Sequence, residues 1–184
     1  MLAQQPGFYQ SLIARGVGDA FDRHVFACIL AKGASEFPRP LAAAVGLPAP
    51  ELARLLAAWF PGIDGLAPVG EPGPDAIEEA DLRRLLMDHA TCPGSDAARW
   101  LAAMVARRSL EPDHLWQDLG LSSRADLSGL LRRHFGPLAE KNTRDMKWKK
   151  FFYRQMCLDE GIRVCKSPVC DGCTDFSLCF GPED

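Results

Sequence analysis

Apolar side chains recur along most of this chain at the three- and four-residue intervals of an amphipathic helix. Phe21, Val25, Cys28 and Ile29 share one helical face, and Leu52, Leu55, Leu56, Trp59 and Phe60 form a similar stripe after Pro50, a residue suited to a first helical turn. Downstream, Asp75 and Glu78 have capping-box spacing ahead of a face made by Leu82, Leu85, Leu86 and His89. Ser95 caps a helix carrying Trp100, Leu101, Met104 and Val105. A further helix is predicted from Pro112 to Leu119, with Gly120 at its stop, and Ser122 caps the next, which carries Leu127, Leu130, Leu131 and His134. Gly136-Pro137 ends that segment. A long last helix is predicted over 138–158, with Trp148, Phe151, Phe152 and Met156 on one side and Met146, Tyr153 and Cys157 on a second, a pattern that predicts a central element buried on two sides. No segment alternates with period two and no internal repeat stands out, so the predicted fold class is all-α: a multi-helix domain with an irregular cysteine-rich C-terminal loop.

Residues 61–74 carry four Gly and four Pro and interrupt this pattern. The predicted organisation is an N-terminal helical unit (1–60), a Gly/Pro-rich loop (61–74), a helical core (75–158) and a cysteine-rich metal- or cluster-binding module (159–184). With 184 residues, 47% of them hydrophobic, the chain can bury one ordinary core. No apolar run is long enough to cross a bilayer. The formal net charge of −3 gives no global drive toward nucleic acid or an anionic membrane, so neither is expected as a partner. Charge is uneven locally. Lys141, Arg144, Lys147, Lys149, Lys150 and Arg154 face a single acid, Asp145, whereas the tail after Cys157 carries six acids against Arg163 and Lys166. A basic segment therefore leads into an acidic, thiol-rich one. It would stabilise a negative cluster or an oxyanion, or else be a solvated helix face.

Four of the seven cysteines, Cys165, Cys170, Cys173 and Cys179, fall within fifteen residues in the spacing C-x4-C-x2-C-x5-C. Soft thiolates suit iron–sulfur clusters, zinc and copper(I), and the opening C-x4-C-x2-C is a known cluster spacing. Pro168 and Gly172 let the backbone wrap a compact object. An iron–sulfur site ranks first. Structural zinc ranks second, because only one Cys-x-x-Cys pair is present, and disulfides rank last, because the cysteine count is odd and the N-terminus has no basic-then-apolar secretory pattern, which predicts a cytoplasmic chain.

The other candidates have plainer readings. Cys157, a candidate fifth ligand, continues an apolar stripe; Cys28 reads as core; His89 and Cys92 form an isolated His-x-x-Cys pair; His134 reads as a hydrogen-bonded helix residue; and His114 sits at a helix start. The aromatics of 148–153 have helical spacing that specifies burial rather than base stacking. No Walker loop, Gly-x-Ser-x-Gly, His-Glu-x-x-His or dinucleotide fingerprint is present.

The segments His114-Leu-Trp-Gln-Asp-Leu-Gly-Leu121, Ser123-Arg-Ala-Asp-Leu-Ser128, Asp145-Met-Lys-Trp-Lys-Lys-Phe-Phe-Tyr-Arg154 and the four-cysteine loop ending Cys179-Phe-Gly resemble the NifQ family of nitrogen-fixation proteins. The likeness is dense over 114–181 and looser upstream, where it rests on Phe26-Ala-Cys-Ile-Leu-Ala31, Gly46-Leu47 and Trp59-Phe-Pro61. It would place a cysteine shortly before His114, where this chain has Arg107-Arg108-Ser109. The resemblance implies an iron–sulfur protein, of 3Fe-4S or 4Fe-4S type, that binds molybdenum and donates it for assembly of the nitrogenase iron–molybdenum cofactor. It implies a metal carrier rather than an enzyme, with cofactor-assembly scaffold proteins and molybdate or a molybdenum–sulfur species as partners. Under it, Cys165, Cys170 and Cys173 are core ligands, Cys179 is the fourth or exchangeable one, and Cys157 and His114 are candidate extra ligands. The competing reading is a zinc-stabilised helical interaction module.

Overall fold

The periodic segments fold as helices. The computed structural model describes residues 7–63, 70–73, 77–159 and 176–180. Its helices are α1 (Phe8–Arg15), α2 (Ala20–Ala34), α3 (Leu41–Val45), α4 (Ala49–Trp59), α5 (Ile77–Asp88), α6 (Asp96–Arg108), α7 (Leu115–Asp118), α8 (Arg124–His134), α9 (Gly136–Ala139), α10 (Trp148–Asp159) and α11 (Phe176–Cys179). Among the described residues there is no strand. No described helix is long and apolar enough to cross a membrane.

Local chemistry sets the boundaries. The Asp19 carboxylate accepts from the backbone N–H of Phe21 and Asp22 at 3.0 and 3.1 Å and starts α2. Ser95 caps α6 as expected, but α8 is capped by Ser123 rather than Ser122, its hydroxyl accepting from Asp126 N–H at 3.2 Å. The helix predicted from Pro112 is confined to the four residues of α7. Gly120, at φ 70°, ends that turn, and a side chain there would meet Lys32 Cβ of α2 at 2.7 Å. Asp75, the proposed cap of α5, lies outside the described residues.

The central helices are α2 and α6, not the last long one. Val25 to Leu30 are buried without interruption, as are Trp100 to Ser109. Small residues (Ala27, Cys28, Ala102, Ala103) let neighbours approach these helices from every side, so their amphipathic stripes understate their burial. Phe26 packs against Trp59 of α4 and Trp100 of α6, with ring centroids 5.0 and 6.3 Å apart, and one hydrophobic cluster includes side chains from both sides of the Gly/Pro-rich stretch.

The helix predicted over 138–158 is broken. Between α9 and α10 the Asn142 amide donates to Met146 O and accepts from Met146 N, both at 2.8 Å, and Asp145 adopts a left-handed backbone with φ 53°. Arg124 clamps the turn through Asp145 and Met146. A side-chain amide that satisfies the backbone in this way competes directly with helix continuation. α10 then buries one face, Trp148, Phe151 and Phe152, while Tyr153 on the supposed second face is 40% exposed.

Candidate metal centre

Of the four clustered cysteines, Cys165, Cys170 and Cys173 lie outside the described residues. Cys179 closes α11, and α11 packs against the start of α10. Lys147 N–H donates to Cys179 O at 2.8 Å, and Lys147 Nζ lies 3.4 Å from Ser177 O. Phe176 and Phe180 stack with centroids 4.5 Å apart, and the Arg144 guanidinium lies 5.3 Å from the Phe180 ring centroid and 5.9 Å from that of Phe176. Phe180 is buried, whereas Phe176 and Leu178 face outward.

Beside this contact is a cleft of about 160 Å³ lined by His114, Leu115, Lys147, Trp148, Lys149, Lys150 and Leu178. An ionic network fixes its far wall. Arg108, fully buried, donates to both oxygens of Glu36 (2.7 and 2.9 Å) and, through Nε, to Asp118 O at 2.7 Å. Lys149 Nζ donates to Asp118 Oδ2 and to the carbonyls of Glu111 and Asp113. Asp118 thus receives α6 on its carbonyl and α10 on its carboxylate, which sets α7, and His114 at its start, against α10. Burial pushes the Glu36 carboxyl up, but the hydrogen bonds and charge of Arg108, with Lys32 and Arg39, hold it below its usual range.

The sequence matches the NifQ family profile over residues 25–181. The chain belongs to the NifQ family. It is 40% identical over 173 residues to Protein NifQ of Rhodobacter capsulatus, covering 92% of this chain and 96% of that one. It is 44% identical over 170 residues to a NifQ homolog of Sinorhizobium fredii, covering 88% and 72% of the two chains. It is also 48% identical over 107 residues to Protein NifQ of Azotobacter vinelandii, covering 58% and 54%. NifQ proteins take part in nitrogen fixation. No solved structure matches the chain.

Among the described residues no group of three or more His, Cys, Asp or Glu side chains is placed to hold a metal. The one described member of the four-cysteine loop, Cys179, is half-buried beside a cleft whose lining includes three lysines and its neighbour Leu178. The two candidate extra ligands separate. His114 shares the cleft with Leu178, the neighbour of Cys179. Cys157 is half-buried in the last turn of α10, roughly 15 Å along the helix axis from Lys147, where Cys179 docks.

The remaining candidates lie outside this cleft. Cys28 is buried, its thiol pushed up to about 12 by burial and then by the Asp126 charge, so it stays protonated. His89 is held at both nitrogens, by Leu85 O at 2.9 Å and Lys141 Nζ at 2.7 Å, while Cys92 is exposed. His134 bonds Asp22 at 2.9 Å. Arg107 and Arg108, at the expected position of an extra cysteine, are buried ion partners of Glu79 and Glu36. Sequence reasoning missed Asp118 and Asn142, and gave Arg144 only as one charge of a basic segment. The only trace of Asp118 was its place inside the His-Leu-Trp-Gln-Asp string.

Proposed function

We propose that the protein holds an iron–sulfur cluster on its C-terminal thiols, takes up molybdenum there and donates it for assembly of the nitrogenase iron–molybdenum cofactor. The observation that carries this reading is the C-x4-C-x2-C-x5-C loop in a chain of the NifQ family. Cys165, Cys170 and Cys173 supply three thiolates, and Cys179 supplies the fourth or exchangeable one. The cluster, when bound, supplies sulfide to which molybdenum attaches and from which it leaves. The protein acts in this reading as a cytoplasmic carrier, delivering to a cofactor-assembly scaffold protein rather than turning over a substrate.

Anaerobic purification with iron, molybdenum and zinc analysis tests the proposal. The expected product is brown, with broad visible absorption. Replacing Cys165, Cys170 or Cys173 with Ala should strip most of the iron, whereas Cys28→Ala and Cys92→Ala should keep it. A colourless protein holding one zinc would establish the interaction-module reading instead.

A further inference from the structure

The cleft beside Cys179 carries a charge that thiolate ligation does not require. Three lysines and a histidine line it, with no carboxylate among the described residues of its wall. Its volume, about 160 Å³, is well under the roughly 300 Å³ at which pockets for organic ligands begin. A small inorganic anion fits that size and sign.

The three lysines are not equivalent. Lys149 is neutralised by Asp118 and two carbonyls and serves as a structural strut. Lys147 reaches only the Ser177 carbonyl, at 3.4 Å, and Lys150 is exposed; among the described residues neither has a carboxylate within ion-pair reach. Leu115, Trp148 and Leu178 supply apolar walls, which displace water and strengthen an ionic contact made between them.

We propose that Lys147 and Lys150, with His114 on the facing wall, form a receptor for a tetrahedral oxyanion. It stands at the end of α10 where Cys179 docks. Taken together with the function proposed above, on which this assignment of the anion rests, it is where molybdenum first binds the protein, as its oxyanion. The event is binding alone: no bond to oxygen is broken and no electron is transferred.

Equilibrium dialysis of the anaerobic full-length protein against molybdate, with tungstate and sodium chloride as competitors, tests the receptor. The parent and the C165A/C170A/C173A variant should both retain molybdate, and tungstate should displace it. K147Q/K150Q should bind at least about tenfold more weakly, the loss expected for removing a charge-assisted contact, in both the parent and the C165A/C170A/C173A background, while its circular dichroism matches the parent. K147R/K150R should restore binding. Equal binding by K147Q/K150Q and the parent overturns the proposal. So does binding lost in the triple cysteine variant but kept in K147Q/K150Q, which would send molybdate directly to the thiols. Displacement by sodium chloride as readily as by tungstate at equal ionic strength overturns it too. A parent that retains molybdate through the lysines while binding no iron supports the receptor and removes the cluster reading, so the two can fail separately.

Discussion

At the scale of single residues, the most demanding feature is the fully buried Arg108, held by both oxygens of Glu36 and by the carbonyl of Asp118. Removing one partner of such a pair leaves a charge in a poorly solvated place. Glu36→Gln should therefore lower stability by on the order of 3 kcal/mol, measured by urea unfolding. The pH dependence follows from the depressed Glu36 carboxyl. Its contribution is complete above the ordinary value of 4.5 and is lost as pH falls below that value through the lower folded one. The E36Q protein should consequently show a flatter stability curve below that pH than the parent. None of this was legible in the sequence. Glu36, Arg108 and Asp118 have no local spacing that announces a network, because the contacts run between α2's end, α6 and α7. The roles of Cys28 and His134 were legible, since each follows from position on an apolar stripe.

Among the elements, helix content was readable wherever burial on one face imposed a 3.6-residue period. It misled where a local hydrogen bond outcompeted the ladder. The turn at Asn142 divides a stretch whose aromatics keep helical spacing, and an amide that bonds both N and O of Met146 gives no periodic signal. The same break brings Arg144 over the Phe176–Phe180 stack and so makes a seat for α11. Phe180 is the buried anchor of that seat. Phe180→Ala should remove on the order of 3 kcal/mol of packing, and the loss should fall on α11 rather than on the core. The expected result is faster loss of iron to a chelator than from the parent, with far-ultraviolet circular dichroism unchanged. Equal rates of iron loss would show that docking of α11 does not hold Cys179 for the cluster.

For the whole molecule, the four-cysteine spacing was visible in the sequence, but the place of its last member, Cys179, was not. Nothing in C-x4-C-x2-C-x5-C says that Cys179 returns to the start of α10 instead of staying near its end. That placement depends on Lys147, Arg144 and Phe180 acting together. Among the described residues, the large cluster built around α2 and α6 draws its buried members from residues 8–152 and Phe180. The helical body should thus stand without the proposed cluster. Chelating the iron should leave the main thermal transition within a few degrees of the loaded protein, in contrast to zinc-nucleated folds, which unfold when stripped. A collapse of that transition on chelation would mean that the thiol loop organises the core.

The return of α11 has a consequence for how a thiolate could let go and come back. α11 follows α10 in the sequence but docks beside the start of that helix, about 18 Å back along its axis from the end. Under the proposed function Cys179 is a captive reactant, because the Lys147 contact and the buried Phe180 keep it beside the cleft after its thiolate leaves a metal. Its release from a metal would open a coordination position to an incoming partner while keeping the thiol close enough to recapture whatever the partner declines.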